Sequence, residues 1–247
     1  MERRKAALSA LFLVTTLAVA GCGHDHCYYC GGPSGADPSG IYEGSLTDTV
    51  TQQSTPAVAV IDENGDGRMM AQSGTYYRFN QVNTSGYSLS SSVLAFPGNG
   101  STIQGSLNGT LTQAGLSATL TASGSDAQSL SLNFDNNYYL SSSLPTLAGS
   151  WTYTSSSFTL NLSIQSSGAF TGTDSNSCSY SGFFNLVDPQ HNAYSENFTL
   201  TCGTASTSYF GLSYFIPAAG TGSNATPAMI NFLADDNNGH FVSALVQ

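Results

Sequence analysis

The chain has 247 residues, of which 8% are charged, and its formal net charge is −10. Soluble domains usually carry about 25% charged residues, and no Lys or Arg follows Arg78, which excludes the cationic surface of a nucleic-acid-binding protein. The abundance of Ser, Thr, Gly and aromatic residues, with few strong helix formers, favours an all-β protein over a helical or disordered one.

The N-terminus has the pattern of an export signal. Glu2-Arg3-Arg4-Lys5 precedes an apolar stretch of 15 residues, which is shorter than the roughly 20 residues of a membrane-spanning helix. The stretch ends in Val19-Ala20-Gly21-Cys22, which resembles the lipobox of bacterial lipoproteins. This resemblance implies that residues 1–21 are a signal peptide, that Cys22 is lipidated, and that Gly23 favours the outer membrane. We therefore expect a lipid-anchored outer-membrane protein, facing either the periplasm or the cell surface.

Loss of the signal peptide makes the remaining chain more acidic. Arg68 and Arg78 become its only basic residues, against 14 acidic ones, and the net charge falls to about −12. Anionic lipid repels such a chain, so the acyl chains have to provide the membrane attachment. The absence of lysine also excludes Schiff-base and Ser–Lys chemistry.

Residues 22–39 are rich in Gly, Pro and Ser, which predicts a disordered tether. A possible metal site lies within it, because two imidazoles and two thiolates could bind Zn²⁺ or Cu⁺. The alternative is an oxidised cysteine pair flanked by hydrated histidines, as expected in an export compartment. The four candidate ligands are His24, His26, Cys27 and Cys30.

From residue 40 onward, apolar and polar residues alternate with the period of two that is typical of β-strands. Turn-forming clusters of Gly, Asn, Asp and Pro separate these runs about every ten residues. The pattern repeats once, since Gly40-Ile41-Tyr42 and Gly149-Ser150-Trp151 begin similar series of strands. We therefore predict two tandem up-and-down antiparallel β-barrels of about eight strands each, over residues 40–144 and 145–247. A single larger sandwich or barrel is the alternative.

One hairpin of the second unit contains two cysteines. If its turn centres on Gln190, Cys178 lies opposite Cys202, and Tyr180 lies opposite Leu200. A single register thus aligns the cysteine pair and the apolar face, which predicts a Cys178–Cys202 disulfide. No cysteine then remains as a nucleophile.

Two further resemblances concern architecture. Gly149-Ser150-Trp151 resembles the G-x-W signature of lipocalins, although no basic residue follows Arg78 to pack on the tryptophan. A lipobox, a tether and two β-units together resemble surface lipoproteins such as factor H-binding protein and transferrin-binding protein B. That likeness implies a fold and carries over no binding residue.

Other candidate sites are weaker. The segment Asp62 to Gly67 matches the first half of a calcium loop, but Ser73 stands where the bidentate Glu belongs. We expect an acidic β-turn there, with weak calcium binding as the alternative. His191 and His240 are expected to be solvated or structural, and Asp235-Asp236 is expected to be hydrated within a turn. No catalytic set of residues is evident, so we expect no enzymatic activity.

The leading functional hypothesis is a non-enzymatic outer-membrane lipoprotein whose β-barrels bind an envelope protein or a glycan through loops and aromatic-bearing strand faces. The alternatives are a lipocalin-like carrier of a small apolar ligand and a metal-handling lipoprotein that uses the tether. A transmembrane barrel is disfavoured, because the clear runs of about seven residues are shorter than the roughly 9–11 of a spanning strand. We expect no cofactor other than the possible tether metal.

Overall fold

A computed structural model describes residues 36–124, 126–220 and 225–247. Among these residues, no helix is long and apolar enough to cross a membrane. The features predicted nearer the N-terminus lie outside the described residues: the signal peptide (residues 1–21), Cys22, His24, His26, Cys27 and Cys30.

The first eight strands form one antiparallel sheet in chain order. They are β1 (Gly40–Asp48), β2 (Ser54–Ile61), β3 (Gly67–Ala71), β4 (Tyr76–Ser85), β5 (Ser88–Phe96), β6 (Ile103–Thr112), β7 (Gly115–Ala122) and β8 (Gln128–Asp135). Strand β8 pairs with β1, which closes the sheet into a barrel. Closure pairs the backbone groups that an open sheet would leave exposed at its two edges.

The second sheet also has eight antiparallel strands in chain order. They are β9 (Gly149–Thr154), β10 (Thr159–Ile164), β11 (Ala169–Asp174), β12 (Ser179–Leu186), β13 (Tyr194–Cys202), β14 (Ala205–Ile216), β15 (Met229–Asp235) and β16 (Phe241–Val246). Its two ends meet at reciprocal backbone hydrogen bonds of 2.8 and 2.9 Å between Thr152 and Gln247. The prediction of two eight-stranded barrels is confirmed: the first is closed and the second nearly closed.

Side chains occupy the interior of both barrels. In the second barrel, four phenylalanine rings contact one another with centroid separations of 5.0–5.9 Å, and Trp151 lies in the same core. The rings are those of Phe170, Phe184, Phe198 and Phe232. The first barrel combines small and large residues, among them Ala57, Ala59, Ala71, Ala118, Met69, Phe79, Leu107 and Leu130. Burial of each large apolar side chain stabilises the fold by about 1.5–3 kcal/mol.

A third apolar core lies between the barrels and is called the seam here. It joins outward-facing residues of both sheets with Ala193, which precedes β13, and with a residue of the connecting 3₁₀-helix (Asn136–Tyr139). A short helix α1 (Leu144–Leu147) follows in the same connection. The buried seam residues are Ile41, Val60, Tyr76, Phe96, Tyr138, Ala193, Leu212, Tyr214 and Leu233. Because these side chains are buried together, the two barrels pack directly on each other.

Both arginines of the described chain meet one carboxylate at the seam. Asp235, at the end of β15, is 1% exposed. It accepts hydrogen bonds from Arg78 Nη1 at 2.9 Å and from the Tyr76 hydroxyl at 3.1 Å, and Arg68 Nε lies 3.4 Å from it. Arg78 also donates to the side chain of Asn237. A buried carboxylate is tolerated when charged and polar groups surround it in this way. The expectation that Asp235 and Asp236 are hydrated is therefore wrong, since both are buried.

The hairpin of β12 and β13 has the predicted register. Tyr180 lies opposite Leu200, and Leu186 lies opposite Tyr194. At the open end of this hairpin, a disulfide joins Cys178 to Cys202.

Loss of this disulfide should destabilise the second barrel. In the protein with both Cys178→Ser and Cys202→Ser, we expect the free energy of unfolding to fall by about 3 kcal/mol, because the unfolded chain loses a cross-link between residues 24 positions apart. Urea unfolding measures the change. The wild-type protein unfolded in reductant is the control, since it keeps both sulfur atoms. Equal stability of oxidised, reduced and doubly substituted protein would contradict the prediction.

Candidate functional site

An open groove of about 440 Å³ lies on the outer face of β11–β14. Phe183 on β12 and Phe210 on β14 line it and are 55% and 50% exposed. Asn197 on β13 lies directly between them, because it pairs with Phe183 on one side and with Phe210 on the other. The three side chains form a row across three adjacent strands, with an amide between two aromatic rings.

A second row of the groove carries only hydroxyl groups. It lies two residues along each strand from the first row, and its members pair one with the next across four strands. They are Thr171, Ser181, Thr199 and Ser208. Among the residues that the structure describes, no charged one lines the groove. The surface is therefore neutral, with hydroxyl groups on one side and aromatic rings on the other.

Two pairs of consecutive aromatic residues produce this surface. Successive side chains of a strand point to opposite faces, so Phe184 is buried in the barrel while Phe183 is exposed. In the same way, Tyr209 points inward and Phe210 outward. An aromatic residue at a position where alternation predicts a polar one is the sequence signal that could have located the groove.

A second candidate site lies where a turn of the first barrel meets a turn of the second. His191 Nδ1 lies 2.9 Å from Glu63 Oε1 and 3.1 Å from Asp188 Oδ2. The Tyr138 ring stacks on the imidazole with a centroid separation of 4.5 Å, and its hydroxyl donates to Glu63 Oε1 at 2.7 Å. Glu63, Asp188 and His191 have between 25% and 32% of their side chains exposed. The cluster is thus partly shielded but open to solvent.

The lumen of the second barrel contains a carboxyl group. Glu196 on β13 is 2% exposed and lies opposite Gly211, where a Cβ would come within 2.6 Å of Glu196 Oε1. A Cβ there would also come within 2.1 Å of the Leu233 carbonyl oxygen, so glycine lets both the neighbouring strand and the acid approach. Burial raises the pKa of Glu196 to about 8, although the Ser213 hydroxyl, the Leu233 amide and the Arg68 charge favour the ionised form. The buried position therefore favours the protonated form of the group.

At the two remaining predicted sites, the acidic turn at Asp62 and the side chain of His240, the polar groups contact other groups of their own turn. Asp62 Oδ1 accepts the backbone amides of Asn64 and Asp66, each at 2.9 Å, so this acidic turn is closed by its own backbone. His240 Nδ1 lies 2.7 Å from Asp236 Oδ2 in the turn before β16.

His191 has a partner that the sequence did not indicate. Glu63 is 128 positions away and approaches only because the barrels pack together. In the sequence, Glu63 is one residue of the calcium-like turn and His191 is an isolated histidine, so no sequence signal connects them. The tether ligands stay a prediction.

Comparison with known proteins found no matching protein family, no matching curated protein and no matching solved structure. A functional assignment therefore depends on the geometry of the chain itself.

Proposed function

We propose that this protein is a non-enzymatic, lipid-anchored outer-membrane lipoprotein that binds a neutral glycan of the cell envelope. The row of Phe183, Asn197 and Phe210 on the outer face of the second barrel is the observation that carries the binding proposal. The lipobox ending at Cys22 supports the anchor and the location.

The chemistry of the groove suits a sugar. An aromatic ring stacks on the apolar C–H face of a pyranose, while amide and hydroxyl groups exchange hydrogen bonds with the sugar hydroxyls. Phe183 and Phe210 are two strands apart, which corresponds to roughly 10 Å and leaves room for a sugar ring over Asn197. None of the described residues that line the groove is charged, and the protein is strongly acidic, so a neutral glycan fits better than an anionic one.

The alternatives have less support. A carrier of apolar ligands needs an empty lumen, whereas phenylalanine rings contact one another within the second barrel. Metal handling by the tether depends on His24, His26, Cys27 and Cys30, for which the sequence pattern is the whole support.

The groove can be tested by removing its aromatic rings. We expect Phe183→Ala and Phe210→Ala together to weaken glycan binding at least tenfold, since each ring contributes about 1 kcal/mol of stacking. Both side chains are exposed, so the free energy of unfolding should change by less than about 1 kcal/mol. A panel of neutral oligosaccharides would first identify a ligand, and isothermal titration calorimetry would then compare the variants.

Tyr87→Ala is the matched control, because Tyr87 is a 72% exposed aromatic residue of the first barrel, away from the groove. It should leave the affinity unchanged. The proposal fails if no oligosaccharide binds, or if the double variant binds as tightly as the wild-type protein.

A further inference from the structure

We propose that Glu63, Asp188 and His191 bind a divalent transition-metal ion that bridges the two barrels. The cluster is separate from the groove and from the tether, so this inference is independent of the proposed glycan binding.

The first argument is the convergence of the donor atoms. One nitrogen or oxygen atom from each of the three residues lies within 4.8 Å of the others. His191 Nδ1 faces both carboxylates, at 2.9 and 3.1 Å. This nitrogen can carry at most one proton, so it can donate a full hydrogen bond to only one of the two carboxylates. A dication in its place would contact all three groups, because ligands of a tetrahedral zinc ion, bound at about 2.0 Å, lie roughly 3.3 Å apart.

The second argument is that outer contacts hold the ligands in place. Tyr138 stacks on the His191 ring and donates to Glu63. The backbone N–H of Gln190 donates to Asp188 Oδ1 at 2.9 Å, while Oδ2 is the oxygen that faces the imidazole. Hydrogen bonds to the ligands from a surrounding shell are a regular property of protein metal sites, because they fix the orientation of each donor.

The ligand types select the metal. One imidazole and two carboxylates suit Zn²⁺, Mn²⁺ or Fe²⁺, whereas Ca²⁺ and Mg²⁺ prefer oxygen ligands alone. Three protein ligands leave a fourth position for water. The partial exposure of the side chains gives an ion access from solvent.

The position of the site gives the metal a structural effect. Glu63 follows β2 in the first barrel, while Asp188 and His191 lie in the turn between β12 and β13 of the second. A bound ion would therefore cross-link the barrels beside the seam. Since a ligand that binds only the folded state stabilises it, the ion should raise the melting temperature.

The test is zinc titration of the full chain, expressed with its own leader and carrying four substitutions that remove the tether donors. They are His24→Ala, His26→Ala, Cys27→Ser and Cys30→Ser. In this background we expect one zinc ion per chain by calorimetry. At zinc concentrations about 100-fold above the dissociation constant, the melting temperature should rise by roughly 5–10 °C.

Ligand variants identify the site. His191→Ala, and the nearly isosteric Glu63→Gln, should each weaken zinc binding at least 100-fold and abolish the thermal shift. Circular dichroism without zinc shows whether each variant is folded. His240→Ala is the matched control, because His240 also contacts one carboxylate, Asp236, but belongs to no cluster of three such ligands in the described part of the chain. This variant should bind zinc like the parent.

A dissociation constant above about 1 mM for zinc would overturn the proposal, as would equal zinc affinity in His191→Ala and its parent. Calorimetric saturation by Ca²⁺ but not by Zn²⁺ would also overturn it, because it would point to the acidic turn at Asp62 instead. A negative result in the zinc experiment does not contradict the proposed glycan binding, because none of the three metal ligands lines the groove.

Discussion

Replacing Asp235 with alanine should lower the free energy of unfolding by about 3–5 kcal/mol. Removing one partner from a buried ion pair leaves the other charges without compensation. Here the remaining charges are Arg68 and Arg78, whose side chains are only 11% and 18% exposed. The Tyr76 hydroxyl loses its acceptor at the same time.

Urea unfolding of Asp235→Ala measures this loss, with Asp126→Asn as a control at an exposed carboxylate. A further variant separates charge from packing. Adding Arg68→Met and Arg78→Met to Asp235→Ala should recover part of the lost stability, because the uncompensated cations are then gone. A loss below about 1 kcal/mol in the single variant would show that the arginines rehydrate freely and that Asp235 does not hold the seam.

Glu196→Gln should change how stability depends on pH. When folding raises the pKa of an acid, there is a pH range in which the acid is protonated in the native state but ionised in the unfolded chain. For Glu196 this range runs from its ordinary value of 4.5 to about 8. The stability of the wild-type protein should therefore fall as the pH rises through this window and level off above it. Below this pH window Glu196 is protonated in both the native and the unfolded state, so it makes no contribution to the pH dependence of stability.

Glutamine keeps the shape of the side chain and does not titrate. We expect the variant to match the wild-type protein near pH 4.5 and to exceed its stability by roughly 2–4 kcal/mol at pH 8, since each unit of pKa shift corresponds to about 1.4 kcal/mol. Urea unfolding at intervals between pH 4.5 and 8.5 measures both curves, with Asp126→Asn as the control. Parallel curves for Glu196→Gln and wild type would show that the buried carboxyl does not titrate abnormally.

The sequence carried enough information for the barrels, because local rules determine them. Alternation fixes which face of each strand is apolar, and turn residues fix where strands end. The β12–β13 register could be predicted because the cysteine pair, Cys178 and Cys202, and the apolar positions are all aligned by the same turn.

The seam and the candidate sites depend on contacts that no local rule predicts. Arg68 and Arg78 look like isolated charges in the sequence, and Asp235 looks like an exposed turn residue. They meet because outward faces of β3, β4 and β15 pack together. The same holds for Glu63 and His191. The groove could more easily be predicted from the sequence, since Phe183 and Phe210 interrupt the polar face of their strands.

The strand order has a consequence for how the chain folds. Within each sheet, every strand pairs with its neighbours in sequence, and one additional pairing, between β1 and β8, closes the first barrel. Hairpins can form as each strand emerges, because they close short loops. The first sheet, however, keeps two unpaired edges until β8 arrives, and such edges readily pair with other chains. The arrival of β8 is therefore the step that ends the aggregation-prone stage of the first barrel.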